Sequence, residues 1–202
     1  MRYPLTLTFK ILAVAPQIRV TDADGTPLLY VHQKAFALRE AVTVYRSEAR
    51  QNVVFTIAAD RVLDFNAVYA ITDGQGRRLG ALARRGRRSI WKARYDILDD
   101  QGRSVFRVHE DNAWTKVLDG LAQQIPLVGS LAGYFFNPSY TVEADDPATP
   151  EQEGDPAVRL VKQPAFWEGR FSLERLGTLA VEQEALVLAA LLMMLLRERS
   201  RG

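Results

Sequence analysis

The sequence predicts a mainly β protein, an antiparallel barrel of about twelve strands that encloses an apolar C-terminal helix. Apolar and polar residues alternate in short segments through the first half of the 202-residue chain, which is typical of half-buried strands. One turn pattern occurs three times, which favours a meander over alternating β and α units. The last segment is apolar on every face and must be surrounded. The length suits a single domain over residues 1–202.

The strands begin near the N-terminus. Leu5, Leu7 and Phe9 alternate with polar residues, and Lys10 interrupts the apolar run. We therefore interpret this segment as a strand and not as a secretory signal, and expect a cytoplasmic protein. The same reasoning predicts strands over residues 5–12, 17–22, 28–33, 42–47, 53–59, 67–72, 77–83, 88–98 and 103–109.

Three turns share one design, in which an apolar strand runs into Asp and Gly follows three residues later. They begin at Asp22, Asp73 and Asp99. The Asp carboxylate can bond the backbone of its own turn, and Gly accepts the positive φ that hairpins need. These turns predict successive antiparallel hairpins.

The second half of the chain is less regular. Apolar spacing predicts a helix over residues 112–124, followed by an apolar stretch. Residues 144–156 are acidic and contain prolines, which predicts a mobile surface loop. Further strands are predicted around residues 140–143, 157–162 and 168–174.

Residues 182–198 predict the central helix. Glu182 and Glu184 precede twelve apolar residues and arginines follow, which suits the helix dipole. Twelve helical residues span about 18 Å, which is well short of the hydrocarbon core of about 30 Å. We therefore predict burial in protein and no transmembrane span, with membrane insertion as the alternative. A barrel of about eleven or more strands has room for such a helix.

This arrangement resembles a known group. Its hairpins, the segment from Ser89 to Asp99, the Asn137-Pro-Ser-Tyr140 motif and the apolar C-terminal helix are similar to those of LURP-one-related and phospholipid-scramblase proteins, which share the tubby C-terminal fold. The resemblance implies a barrel of roughly twelve strands around the helix. It also implies binding to phosphoinositides or other anionic lipids. Scramblases are associated with palmitoylated cysteines and a calcium-binding segment. This chain has no cysteine, so scrambling is not implied.

Composition and spacing reveal no catalytic machinery. The lack of cysteine excludes disulfides, thiolate nucleophiles and cysteine-based zinc sites. His32 and His109 lie far apart and form no metal-binding pair. We therefore expect no enzyme, no cofactor and no metal. An active site assembled only by folding would need a pocket of converging titratable groups, which spacing does not reveal.

The segment from Arg77 to Arg94 is strongly basic, and no acid occurs between Asp73 and Asp96. Alternation predicts that Tyr95 faces inward and Arg94 outward. Across the turn at Asp99, the residues Arg103, Arg107 and His109 can share this outer face. Such a patch suits anionic lipid headgroups or nucleic-acid phosphates. The nearby aromatics are predicted to face inward, so no nucleic acid is expected. The alternative is a solvated exterior that resists aggregation. The candidate lipid-binding residues are Arg84, Arg85, Arg87, Arg88, Lys92 and Arg94.

These observations predict a binding module that contacts anionic phospholipid or phosphoinositide, cytoplasmic and peripheral to the membrane. The alternative is a protein-interaction or scaffold domain. Its partner would meet either the acidic loop or the apolar residues 127–136. The same apolar stretch would otherwise cover an opening of the barrel or insert shallowly into a membrane.

Overall fold

The chain forms a closed antiparallel barrel of twelve strands around one C-terminal helix, as predicted. The computed structural model describes residues 1–10, 16–33, 41–60, 67–85, 94–111, 139–145, 154–165 and 168–199. Each strand pairs with the next in the chain, and β1 closes the barrel by pairing with β12. The strands are β1 (Leu5–Lys10), β2 (Gln17–Thr21), β3 (Pro27–Gln33), β4 (Ala41–Tyr45), β5 (Val53–Ala59), β6 (Val68–Asp73), β7 (Arg78–Arg85), β8 (Arg94–Leu98), β9 (Ser104–Glu110), β10 (Ser139–Ala144), β11 (Pro156–Gln163) and β12 (Glu168–Arg175).

The helix α1 (Val181–Arg199) fills the barrel and begins and ends one residue beyond the predicted bounds. Every residue from Leu186 to Leu196 is buried. Each strand contributes the apolar half of its alternating pattern to the same core, as Leu5 and Leu7 of β1 do. Because all faces of this helix meet inward-facing strand residues, no polar side is needed.

The helix runs from one end of the barrel to the other. It begins just after β12 ends, at the end of the barrel that holds the turns at residues 22–26, 73–77 and 99–103. We call this the hairpin end. Its last turn lies at the opposite end, where Glu198 meets Tyr95 near the start of β8. We call this the helix-exit end, and β7 and β8 are joined there.

The three Asp-to-Gly turns form as predicted. The Asp73 carboxylate accepts backbone N–H groups of Gln75 and Arg77 at 3.0 and 2.9 Å, and the Arg77 guanidinium pairs with it. Asp99 bonds Gln101 and Arg103 in the same way. Glycines 25, 76 and 102 have φ of 78°, 83° and 80°, the left-handed region that these turns require.

Arg175 fixes the entry of α1 at the hairpin end. Its guanidinium donates to the carbonyl oxygens of Gly177 at 3.0 Å and Leu179 at 3.3 Å. It also lies 6.0 Å from the ring centre of Tyr3 and 3.9 Å from the Glu184 carboxylate. Burial, and then the nearby Glu184, raise the pKa of the Tyr3 hydroxyl. These contacts connect the first strand, the last strand and the helix.

Gly80 allows α1 to pack directly against β7. A Cβ at this position would lie 2.1 Å from the carbonyl oxygen of Leu98 and 2.9 Å from Cδ1 of Leu186. Both distances are far below van der Waals contact. The helix therefore approaches β7 as closely as a residue without a side chain permits.

Several predicted segments lie outside the described residues, namely the helix over 112–124, the apolar stretch 127–136 and most of the acidic loop. The predicted bounds of that loop fall in strands, because Ala144 ends β10 and Pro156 begins β11. Within the described ranges, no helix combines the length and hydropathy needed to cross a membrane.

Candidate functional site

The basic segment lies where β7 ends and β8 begins. The predicted strand over residues 77–83 stops before Arg84 and Arg85, but these two arginines form the last two residues of β7. They pair with Tyr95 and Arg94 of β8, respectively. The pairing of β7 with β8 therefore extends as far as Arg85, beyond the end of the strand predicted from the sequence. The predicted Arg87, Arg88 and Lys92 lie outside the described residues.

Arg84 and Arg94 do not share one environment. Tyr95, the register partner of Arg84, is only 3% exposed, and Leu82 two residues earlier is fully buried. Alternation therefore places Arg84 on the inner side, near the rim, where it is half-buried. Arg94 is exposed, as predicted, and pairs in register with Arg85 on one side and His109 on the other. Three basic residues thus occupy consecutive positions across β7, β8 and β9.

Two other predicted cations of the outer face are neutralised within the fold. Arg107 forms an ion pair with Asp145, which raises the pKa of its guanidinium. Arg103 is held by Asp99 at 2.8 Å in the hairpin turn. The basic surface is therefore narrower than the sequence indicates, and is concentrated at the facing ends of β7 and β8.

A polar network adjoins this surface on β9, β10 and β11. The Asp111 carboxylate accepts hydrogen bonds from Ser139 Oγ and Thr141 Oγ1, both at 2.7 Å, and from the Arg159 guanidinium at 3.0 Å. Nε2 of His109 lies 3.7 Å from Asp111 Oδ1. The sequence analysis missed this network, because 28 residues separate Asp111 from Ser139 and no local pattern joins them.

The network lowers the pKa of the Asp111 carboxyl. Burial of its carboxyl alone would raise the pKa, but the hydrogen bonds from Ser139, Thr141 and Arg159 outweigh that effect and hold the pKa below its usual value. A carboxylate with a depressed folded-state pKa stabilises the protein above the unfolded pKa of about 3.9. That contribution is lost as the pH falls through the folded-state value.

We expect Asp111→Asn to lower the free energy of unfolding by about 2 kcal/mol at pH 7, because charge-assisted hydrogen bonds are lost. The difference from the parent protein should shrink as the pH is lowered from about 5 to 2. Urea unfolding across this range measures it. Asp155→Asn, at an exposed position, is the matched control and should stay within about 0.5 kcal/mol of the parent. A difference at Asp111 that does not vary with pH would contradict the role of its charge.

The inner side of the helix-exit end is also polar. The Tyr95 hydroxyl donates to Glu198 Oε1 at 2.5 Å, and Arg197 lies 5.6 Å from the ring centre of Tyr69. Burial, followed by the charges of Glu110 and Glu198, raises the pKa of the Tyr140 hydroxyl. These side chains attach the last turn of α1 to β6 and β8, so the helix is anchored at both ends.

Comparison with known proteins gives one match. No curated protein and no solved structure matches the chain. A family model described as LURP-one-related matches residues 27–182, from β3 to the start of α1. The additional resemblance to scramblases stays a prediction. Because the match covers far more than half of the sequence, the chain belongs to the LURP-one-related family.

Proposed function

We propose that the protein is a non-enzymatic module that binds anionic phospholipid, phosphoinositides included, at a cytoplasmic membrane surface. The contact lies at the facing ends of β7 and β8. The observation that carries this proposal is the register of Arg85 opposite Arg94, with His109 next in the row. Like charges at directly opposed strand positions are destabilising. An anionic headgroup between them would offset that cost.

The sequence around these strand ends strengthens the proposal. The connection between β7 and β8 carries Arg87, Arg88 and Lys92 and no acid. Each basic residue near an anionic leaflet contributes about 1 kcal/mol, so the six candidates together supply enough attraction for peripheral binding. Membership of the LURP-one-related family agrees with a binding role of this kind.

Two observations favour lipid binding over other chemistry. Tyr95 is buried and bonded to Glu198, so its ring is not presented for stacking on nucleic-acid bases. The carboxylate of Asp111 is engaged by Ser139, Thr141 and Arg159 in a hydrogen-bonded network, which supports a structural role for this carboxylate.

The test is cosedimentation with vesicles of phosphatidylcholine alone, or containing phosphatidylserine or a phosphoinositide. We expect pelleting only with anionic vesicles, and its loss when salt is raised from about 0.05 to 0.5 M. The variant Arg84/Arg85/Arg87/Arg88→Ala should bind at least tenfold more weakly, since it lacks about 4 kcal/mol of attraction.

A matched variant removes four positive charges from the hairpin end, Arg2/Arg46/Arg77/Arg103→Ala, and should bind within about twofold of the parent. Circular dichroism melts establish that both variants are folded. Equal weakening by both variants would mean that binding depends on the net charge of the protein and not on the position of the arginines. Negligible pelleting in all conditions would refute lipid binding and would leave a protein partner as the remaining function.

A further inference from the structure

His109 lies between two carboxylates on the outer face of β9. Its Nε2 atom is 3.7 Å from Oδ1 of Asp111 and 3.7 Å from Oε1 of Glu143, which belongs to β10. Both contacts are ion pairs only while the imidazole carries a proton. The His109 side chain is 35% exposed, so solvent can supply that proton and remove it. Histidine is the residue type whose charge changes between pH 5 and 8.

The two carboxylates keep their own charge over this range of pH. Hydrogen bonds to the Asp111 carboxyl hold its pKa below the usual value, and carboxylic acids in general are ionised above about pH 5. A proton on His109 therefore adds one full positive charge to the cluster, whichever carboxylate the imidazolium then contacts.

The other charges around His109 nearly cancel. Its described outer-face neighbours on β8, β9 and β10, together with their ion-pair partners, comprise three positive and four negative groups. The positive groups are Arg94, Arg107 and Arg159, and the negative groups are Asp96, Asp111, Glu143 and Asp145. With a neutral imidazole the set has an excess of one negative charge, and with a protonated imidazole it is balanced.

This set adjoins the arginines of the proposed lipid contact. Arg94 is in register with His109 on one side and with Arg85 on the other. Neighbouring strands lie about 4.8 Å apart, which is less than the Debye length of about 8 Å at physiological salt. The charge on His109 therefore acts on an anionic headgroup at Arg94 with little screening. The negative excess weakens that contact, and protonation removes the excess.

We infer that His109 makes the binding of anionic phospholipid dependent on pH, with tighter binding in mildly acidic conditions, where its imidazole is protonated. This inference rests on the proposed function and adds a means of regulation to the same site. One additional positive charge near an anionic surface corresponds to a change in affinity of about fivefold.

The test uses the two histidines of the chain. His109→Gln removes the proposed titrating group, and His109→Arg keeps a positive charge there at every pH. His32→Gln is the matched control, because β3 lies six strands from β9, on the opposite side of the barrel. Cosedimentation is measured at about pH 5.5 and 7.5 with phosphatidylglycerol vesicles, whose phosphodiester stays singly charged throughout. Circular dichroism melts establish that each variant is folded.

We expect the parent protein and His32→Gln to bind about fivefold more tightly at the lower pH. His109→Gln should bind equally at both, and His109→Arg should bind at both as the parent does at the lower pH. A pH dependence that persists in His109→Gln, or that is missing from the parent or from His32→Gln, would overturn the role of His109 and leave lipid binding intact. A parent protein that does not pellet at either pH would overturn the proposed function and the inference together.

Discussion

Replacing Leu191 with alanine is expected to lower the free energy of unfolding by about 3 to 5 kcal/mol. Leu191 lies in the middle of α1 with none of its surface exposed, inside a closed barrel. The surrounding strands are hydrogen-bonded into a ring and cannot collapse onto the cavity, so the cost should lie near the upper part of the usual range. Denaturant unfolding followed by circular dichroism measures this change.

The control is Val181→Ala in the first turn of the same helix. Val181 is 77% exposed, so its truncation should change the free energy of unfolding by less than about 0.5 kcal/mol. Similar small effects at both positions would mean that α1 does not fill the barrel. A large loss for Leu191 alone would establish that the helix is part of the core.

The second large effect is expected for Gly80→Ala. The new Cβ would lie 2.1 Å from the carbonyl oxygen of Leu98, which belongs to the neighbouring strand β8. Because the obstructing atom is backbone, the two strands must separate or β7 must shift into α1. We expect a loss of about 3 kcal/mol or more in the free energy of unfolding, at the upper limit for overpacking.

Gly76→Ala is the control for Gly80→Ala, because it introduces backbone strain without a steric clash. Position 76 has no atom within 4 Å of a new Cβ, but its φ is 83°, so the expected cost is about 1 to 2 kcal/mol. In the Gly80→Ala background, Leu186→Ala should not restore stability, since the contact with Leu98 remains. Restoration by that second change would show that the helix side chain, and not the strand backbone, sets the limit.

Local pattern was sufficient to predict most of the architecture. Period-two alternation and the turns at Asp22, Asp73 and Asp99 report local geometry, so they indicated the hairpins and their inward faces. The uniform apolarity of α1 required an enclosing structure. No local stretch of sequence identifies the partner of the first strand, because Leu5 and Leu173 become neighbours only when the barrel closes.

The site was less predictable. Arg84 and Arg85 look like part of a loop in the sequence, and only the register with Tyr95 and Arg94 shows that the strand continues through them. The neutralisation of Arg107 by Asp145 is likewise a contact between residues 38 positions apart. Charged side chains at strand ends carry little local signal, since both strands and loops tolerate them there.

The pairing of β1 with β12 also has a consequence for biosynthesis. The ring can close only around α1, which leaves the ribosome after every strand. At about 5 to 20 residues per second, translation from β1 to α1 takes roughly 10 to 40 s. Throughout this interval the apolar inner faces of the strands lack the segment that covers them, and pairings between distant parts of a chain form slowly. The yield of this protein in a cell should therefore depend on chaperones that shield the nascent sheet until its final helix arrives.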